Sequence, residues 1–404
     1  MTGSWLAVPA ESGFGVDNLP YGVVGGRVVT RLGDGVLDLA TVLAPVDPEL
    51  ARRVAGPSLH RLLAAGPGTW AAVRDTLQRI LTDDTAAHRR AVDLARADLE
   101  PPALPFTVAD YVDFYSSEQH ATNVGKIFRP DAPALPPAWK HLPIGYHGRA
   151  GTVAVSGTPV VRPSGTRGPG VHGPTERLDI EAEVGFVVGT PSRLGTPVAA
   201  ADWRAHVFGV VLVNDWSARD IQSFETRPLG PFLGKSFLTS VSPWVVPLAA
   251  LEPAFVDPPA QDPPPLDHLR PAGPALDLTL EVRLHGHVIA RPPAAALYWT
   301  AAQQLAHLTA NGASLRTGDL FASGTVSGDR TDQLGSLLEL TRGGRVPLRL
   351  PDGSTRTYLR DGDTVTITAR AGSIGLGEVT GTVRGGPPPP APVPGRGDPP
   401  RRAV

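Results

Sequence analysis

A chain of 404 residues, 41% hydrophobic and 19% charged, is long enough for one large or two unequal domains around a sizeable core. Its formal net charge of −2 gives no electrostatic ground for binding nucleic acid or an anionic membrane surface. The absence of cysteine excludes disulfides, thiolate nucleophiles, iron–sulfur clusters and Cys-ligated zinc.

No apolar stretch approaches the roughly 20 residues that span a bilayer. The start, Met1-Thr-Gly-Ser-Trp-Leu-Ala, lacks the basic and apolar regions of a secretory leader, so a cytoplasmic protein is expected. Glycine and proline, 45 and 44 residues, break the chain into short elements and favour strands and turns over long helices.

In chain order, Arg27-Val-Val-Thr-Arg-Leu and Val36-Leu-Asp-Leu flank the turn signal Gly33-Asp34-Gly35 and predict paired strands. From Asp47 to Leu99 the period becomes helical. Trp70, Val73, Leu77, Ile80 and Leu81 recur at helix spacing after Thr69, a candidate N-cap. Pro101-Pro-Ala-Leu-Pro105 reads as a linker closing a first unit over 1–105. A predominantly β unit is expected over 106–385, with short strands around Val153–Ser156, Ile180–Val188, Phe208–Val213, Trp244–Val246, Leu278–Leu284 and Thr364–Ala369. Two helices are expected there, one from Thr107 through Asp113 and one from Leu297 to Thr309 that stops at Asn311-Gly312. Residues 386–404 are proline-rich and predict a disordered or polyproline-like tail. The fold class is mainly β with added helices (α+β), and mostly antiparallel.

Three acid-bearing runs stand apart. In Leu178-Asp-Ile-Glu181-Ala-Glu183-Val, strand alternation puts Asp179, Glu181 and Glu183 on one face and the apolar residues on the other. Like charges on one face repel unless they are solvated or bridged by a cation, and this run alone leaves both options open. Asp113 and His120 lie seven apart, which puts them on one face if a helix continues through both, though such a pair most often sits on a surface. Asp215 closes the apolar run Phe208–Val213, and Arg219 and Gln222 then share a face at i, i+3 or form an ordinary loop ion pair. Together the runs offer oxygen ligands for a hard cation and a histidine able to take a proton from water, the parts of a metal-assisted hydrolase. Gly230-Pro-Phe-Leu-Gly-Lys235-Ser236 misses the phosphate-loop spacing by one residue, and Gly375-Leu-Gly377 misses the dinucleotide spacing, so nucleotide binding is rejected.

These runs resemble the fumarylacetoacetases, hydrolases of the last step of tyrosine degradation. The resemblance rests on Asp110-Tyr-Val-Asp-Phe-Tyr-Ser-Ser-Glu-Gln-His-Ala-Thr-Asn-Val-Gly125, Leu142-Pro-Ile-Gly-Tyr146-His-Gly-Arg, Asn214-Asp-Trp-Ser-Ala-Arg-Asp-Ile-Gln222, Pro228-Leu-Gly-Pro-Phe-Leu-Gly-Lys235 and Leu320-Phe-Ala-Ser-Gly-Thr325. Asp17-Asn-Leu-Pro-Tyr-Gly-Val also fits, and the match runs over about 5–385. It implies a small SH3-like N-terminal barrel, a large mixed β-roll catalytic domain and a homodimer.

By motif position the resemblance implies metal carboxylates at Asp113, Glu181, Glu183 and Asp215, holding Ca²⁺ or Mg²⁺. Lys235 and Thr239 would line a second cation site. It further implies a catalytic His120 oriented by Glu339, and Arg219, Gln222 and Lys235 as stabilisers of negative charge. Tyr115, Arg129, Tyr146, Gln222 and Thr325 would touch a small diketo-acid substrate. At Thr226 the chain departs from the tyrosine usual in the family, which keeps a hydroxyl but loses the ring and its reach. The competing expectations are an acylpyruvase acting on fumarylpyruvate-like diketones, and a catalytically silent metal-binding scaffold.

Overall fold

A computed structural model describes residues 4–386; the proline-rich tail expected from 386 on lies, past Gly386, outside the described residues. The chain begins with an antiparallel meander of Tyr21–Val24, Arg27–Leu32, Gly35–Asp38 and Arg96–Asp98. Gly25 and Gly26, both at positive φ (56° and 72°), make the two-residue turn of the first hairpin, a geometry only such residues reach cheaply. Five helices follow the third strand, the longest spanning Pro67–Thr82 with Val73, Leu77, Ile80 and Leu81 buried. Its N-cap is Gly66 rather than Thr69. Pro67 fits the first helical position because its missing N–H would have lacked a partner there anyway.

The centre is a mixed sheet in the order Gly145–His147, Tyr111–Phe114, Leu320–Ala322, Ala182–Val188, Val207–Asp215, Thr239–Val241 and Val153–Val155, with Val246–Pro247 also pairing Val207–Asp215. A second sheet joins His287–Ala290, Thr279–Leu284, Thr364–Ala371, Ile374–Arg384 and Val160–Val161. The expected strands and the helix ending at Thr309 are therefore present. That helix starts at Ala301 behind a Thr300–Gln303 capping box.

Alternation along one strand divides the core. Leu178, Ile180, Ala182, Val184, Phe186 and Val188 all enter one cluster with Leu280, Val282, Val365 and Ile367 of the second sheet and Leu305 of the 301–309 helix. Val187, Val211, Val213 and Leu320 face the other way, into a cluster with Leu19, Tyr21, Leu39, Val73 and Leu77 of the N-terminal unit. Phe208 of the central sheet meets Trp70 edge-on at 5.2 Å and Tyr21 at 5.6 Å. The first hundred residues thus cover one face of the central sheet. The expected linker is tied down as well, since Ala103 bridges Val23.

One expected helix is not there. Tyr111–Phe114 is an interior strand of the central sheet, with Asp113 paired to Ala322 on one side and Tyr146 on the other. The helix starts only at Glu118, where the Ser117 hydroxyl accepts the His120 N–H as an N-cap. Asp113 and His120 are therefore neighbours through a strand–turn–helix, and share no helix face.

Candidate active site

The strand ends bring four acids to one place. Asp113 comes from Tyr111–Phe114, Glu183 from Ala182–Val188, Asp215 from the last position of Val207–Asp215, and Glu181 from the residue just before Ala182. All four are buried, and one carboxylate oxygen from each lies within 4.8 Å of the others. The solvated-face reading of Asp179, Glu181 and Glu183 is thereby excluded, since all three are at most 5% exposed.

Among the described residues, both oxygens of Glu183 and Oδ1 of Asp113 have no hydrogen-bond partner, which is costly for buried carboxylates. Burial, and then the charge of Asp215, pushes Asp113 well above the usual carboxylate range; burial and then Asp113 does the same to Glu183. Glu181 goes the other way. Burial opposes its charge, but Arg219 and then Lys235 outweigh it and hold the group below its ordinary value. Lys235 Nζ bridges Glu181 and Asp215 (2.6 Å to Asp215), and burial is again outweighed, so the ammonium stays charged. Four carboxylates face two buried cations, and unpartnered oxygens remain. A hard divalent cation fits that oxygen set.

Around the acids sit His120 and further polar groups. His120 Nδ1 lies 2.7 Å from Oε2 of Glu339, and its Nε2 faces Glu181 Oε1 at 3.8 Å. Glu339 also accepts from Ser327, Ser336 and Asn123. Burial disfavours its charge, but His120 and these donors outweigh burial and lower its pKa. Arg219 opens the helix Arg219–Glu225. Its Nη1 reaches Glu181 at 2.6 Å and Gln222 Oε1 at 3.2 Å, the i, i+3 pair. Tyr146 OH donates to Asp113 (2.6 Å) and lies 3.3 Å from Asp215, while Thr239 donates to Asp215 at 2.7 Å. The turn carrying Lys235 is held by Glu225, which accepts from the N–H of Phe232 and Gly234.

A cavity of about 180 Å³ opens onto Asp215, Lys235, Thr239, Tyr111, Tyr146 and Phe232. A larger cleft of about 870 Å³, between the N-terminal unit and the second sheet, carries none of these groups.

Two family models match the chain: the fumarylacetoacetate (FAA) hydrolase C-terminal model over residues 110–384, and the fumarylacetoacetase N-terminal model over residues 17–103. The fumarylacetoacetase of Homo sapiens is 44% identical over 94% of this chain and 98% of its own length. That of Arabidopsis thaliana is 42% identical over 95% and 99%. The chain belongs to the fumarylacetoacetase family. In fold it resembles the solved fumarylacetoacetate hydrolase of Exiguobacterium antarcticum, with TM-score 0.55 at 17% identity, covering 91% of this chain and 99% of that one.

The remaining residues singled out by the fumarylacetoacetase motifs lie at the edge of this network. Tyr115 stands edge-on to the His120 ring with centroids 5.5 Å apart. Thr325 is buried with an unpartnered hydroxyl. Arg129 follows the helix Glu118–Phe128 and donates to the Ala134 carbonyl at 2.8 Å. Thr226 is the residue just past the helix Arg219–Glu225, half-buried. Neither Arg129 nor Thr226 hydrogen-bonds the acid–histidine network among the described residues.

Sequence reasoning missed several groups. Asn123 was detectable, being one helical turn from His120 on the same face. Ser327 and Ser336 come from loops with no periodic signal. Tyr111, whose buried hydroxyl lacks a hydrogen-bond partner, shares the alternation of Asp113 along its strand.

Proposed function

We propose that the protein hydrolyses the carbon–carbon bond of 4-fumarylacetoacetate to fumarate and acetoacetate, the last step of tyrosine and phenylalanine degradation. The observation that carries this reading is the unpartnered carboxylate set beside a His120–Glu339 pair, in a chain that matches fumarylacetoacetases over nearly its whole length. A divalent ion held by Asp113, Glu181, Glu183 and Asp215 would supply Lewis acidity toward the diketone oxygens and the departing enolate.

With Nδ1–H given to Glu339, His120 keeps Nε2 as an acceptor on the side of the acids, placed to take a proton from water as it attacks the fumaryl carbonyl carbon. The bond between that carbon and the acetoacetate methylene then breaks. The methylene receives a proton back from the imidazolium, which balances the hydrolysis. Arg219, Gln222 and Lys235 would hold the tetrahedral oxyanion, and Arg129 would receive a substrate carboxylate with Tyr115, Tyr146 and Thr325 lining the site. An ammonium has no lone pair to offer a cation. At the carboxylate cage Lys235 would therefore balance charge and, with Thr239, orient Asp215, while a second cation site lined by these two residues would draw on the Thr239 hydroxyl and main-chain oxygens.

Four carboxylates suit Ca²⁺ better than Mg²⁺, which keeps several waters and few protein ligands. The same reading takes 1–105 as an SH3-like barrel unit, 106–385 as the β-roll catalytic domain, and the working form as a cytoplasmic homodimer. No helix among the described residues is long and apolar enough to cross a membrane. The test is loss of fumarylacetoacetate absorbance by metal-stripped protein before and after adding Ca²⁺ or Mg²⁺. Turnover restored by either ion is expected. Inactivity with both, alongside cleavage of a fumarylpyruvate-type diketone, would overturn the substrate assignment.

A further inference from the structure

Asp179 lies outside the metal-ligand set, yet it is 0% exposed and every one of its acceptor positions is used. Oδ2 accepts from Arg219 Nε at 2.8 Å and from the Leu338 N–H at 2.9 Å. Oδ1 accepts from the N–H groups of Leu337 at 2.8 Å and Ile180 at 2.7 Å. One carboxylate therefore joins the guanidinium of Arg219 to the short helix Leu337–Leu340, which carries Glu339.

The consequence shows at Arg219. Its Nε is taken by Asp179 and its Nη1 by Glu181 and Gln222, while Nη2 is buried without a hydrogen-bond partner among the described residues. A guanidinium is planar, so fixing Nε and Nη1 fixes where Nη2 points. A buried donor with no acceptor is expensive unless something brings an acceptor to it. We infer that Asp179 is a positioning residue for hydrolysis. It aims Nη2 of Arg219 at the developing oxyanion, its own carboxylate being held in place by the main-chain N–H groups of Leu337 and Leu338. This rests on the reading of Arg219 as an oxyanion donor.

The test uses the full-length, Ca²⁺-loaded protein and four forms: wild type, Asp179→Asn, Arg219→Gln and the double variant. An asparagine keeps one acceptor but turns an NH₂ toward N–H donors. Asp179→Asn is expected to lower kcat on the order of 10–100-fold, as supporting partners of catalytic groups do, with Ca²⁺ affinity by calorimetry unchanged. Because Asp179 acts through Arg219, the double variant should be no slower than Arg219→Gln alone. Multiplying losses would mark a merely structural role and overturn the inference, as would a normal kcat for Asp179→Asn. A normal kcat for Arg219→Gln would instead overturn the oxyanion reading beneath it. Should Asp179→Asn fail to fold, Arg219→Lys decides. It keeps the charge but not the Nε contact, so it should be as slow as Arg219→Gln, and near-normal turnover would show that aiming is unnecessary.

Discussion

His120 Nδ1 and Glu339 Oε2 lie 2.7 Å apart although 219 positions separate them in the chain, and the pair is sealed from solvent at 3% exposure each. Glu339 is in turn fixed by Ser327, Ser336 and Asn123. The imidazole is thus locked in one orientation with Nε2 turned to the acids. On the proposed mechanism, removing the ring takes away the proton acceptor and leaves the carboxylate cage in place. His120→Ala is therefore expected to lower kcat by about 10²–10⁴-fold with Ca²⁺ stoichiometry unchanged by metal analysis. Near-normal kcat would remove His120 from the mechanism.

The acid cage makes a signed prediction for the metal-free protein. The folded-state pKa values of Asp113 and Glu183 are raised by burial and by their acidic neighbours. The unfolded chain releases these protons near pH 4, at the ordinary carboxylate values. Above that pH the folded state binds more protons than the unfolded one, so these groups make stability fall as pH rises. Metal-stripped protein should show a lower Tm at pH 8 than at pH 5.5, and Ca²⁺ should raise Tm more at pH 8. A gain from Ca²⁺ that is equal at both values would contradict this.

Glu183 isolates that effect. Neither of its oxygens has a hydrogen-bond partner among the described residues, so in metal-free protein burial and the neighbouring acids outweigh the help its charge receives from Lys235. Glu183→Gln should raise the Tm of the metal-free protein at pH 8 and flatten its fall with pH. The same change removes a charged ligand and should weaken Ca²⁺ binding on the order of tenfold or more. Calorimetry with and without Ca²⁺ checks both signs. Unaltered Ca²⁺ affinity would take Glu183 out of the ligand set.

Much of this site is legible wherever a single element carries it. Alternation from Leu178 to Val188 places Glu181 and Glu183 opposite six core residues, and the i, i+3 spacing of Arg219 and Gln222 appears as a hydrogen bond. Legibility fails where tertiary pairing overrides local pattern. The seven-residue spacing of Asp113 and His120 mimics two helical turns, but Tyr-Val-Asp-Phe is claimed by strands on both sides and the helix waits for Ser117. The grip of Asp179 on Leu337 and Leu338 spans more than 150 residues and leaves no trace in any local window.

By the motif resemblance, Thr226 stands where a tyrosine is expected. It sits one residue past the helix that bears Arg219 and Gln222, half-buried, its N–H donating to the Gln222 carbonyl and its side chain making no hydrogen bond to the acids, His120 or Glu339 among the described residues. A tyrosine there would add a ring and a hydroxyl several ångströms farther out. Thr226→Tyr is expected to change KM for fumarylacetoacetate while leaving metal affinity alone, since the residue touches no carboxylate of the cage. Unchanged KM and kcat would show that position 226 does not reach the substrate.

Gly234 tests how closely the Lys235 turn must approach the Arg219 helix. A Cβ at Gly234 would come within 2.7 Å of the Gln222 backbone nitrogen and 2.8 Å of its Cα, closer than real Cβ contacts allow. The Gly234 carbonyl also accepts the Ala218 N–H at 2.8 Å, so the turn cannot retreat without losing that bond. Gly234→Ala must therefore displace the main chain that carries both Lys235 and Gln222. A misplacement of about 1 Å can lower turnover about 10²-fold, and a loss of that order in kcat is expected. Asp113, Glu183 and the His120–Glu339 pair lie on other elements, so Ca²⁺ should still bind, more weakly through the disturbed Lys235–Glu181 and Lys235–Asp215 contacts. Turnover at the wild-type rate would mean that the close contact between the turn and the helix is not what sets the Lys235 ammonium in place.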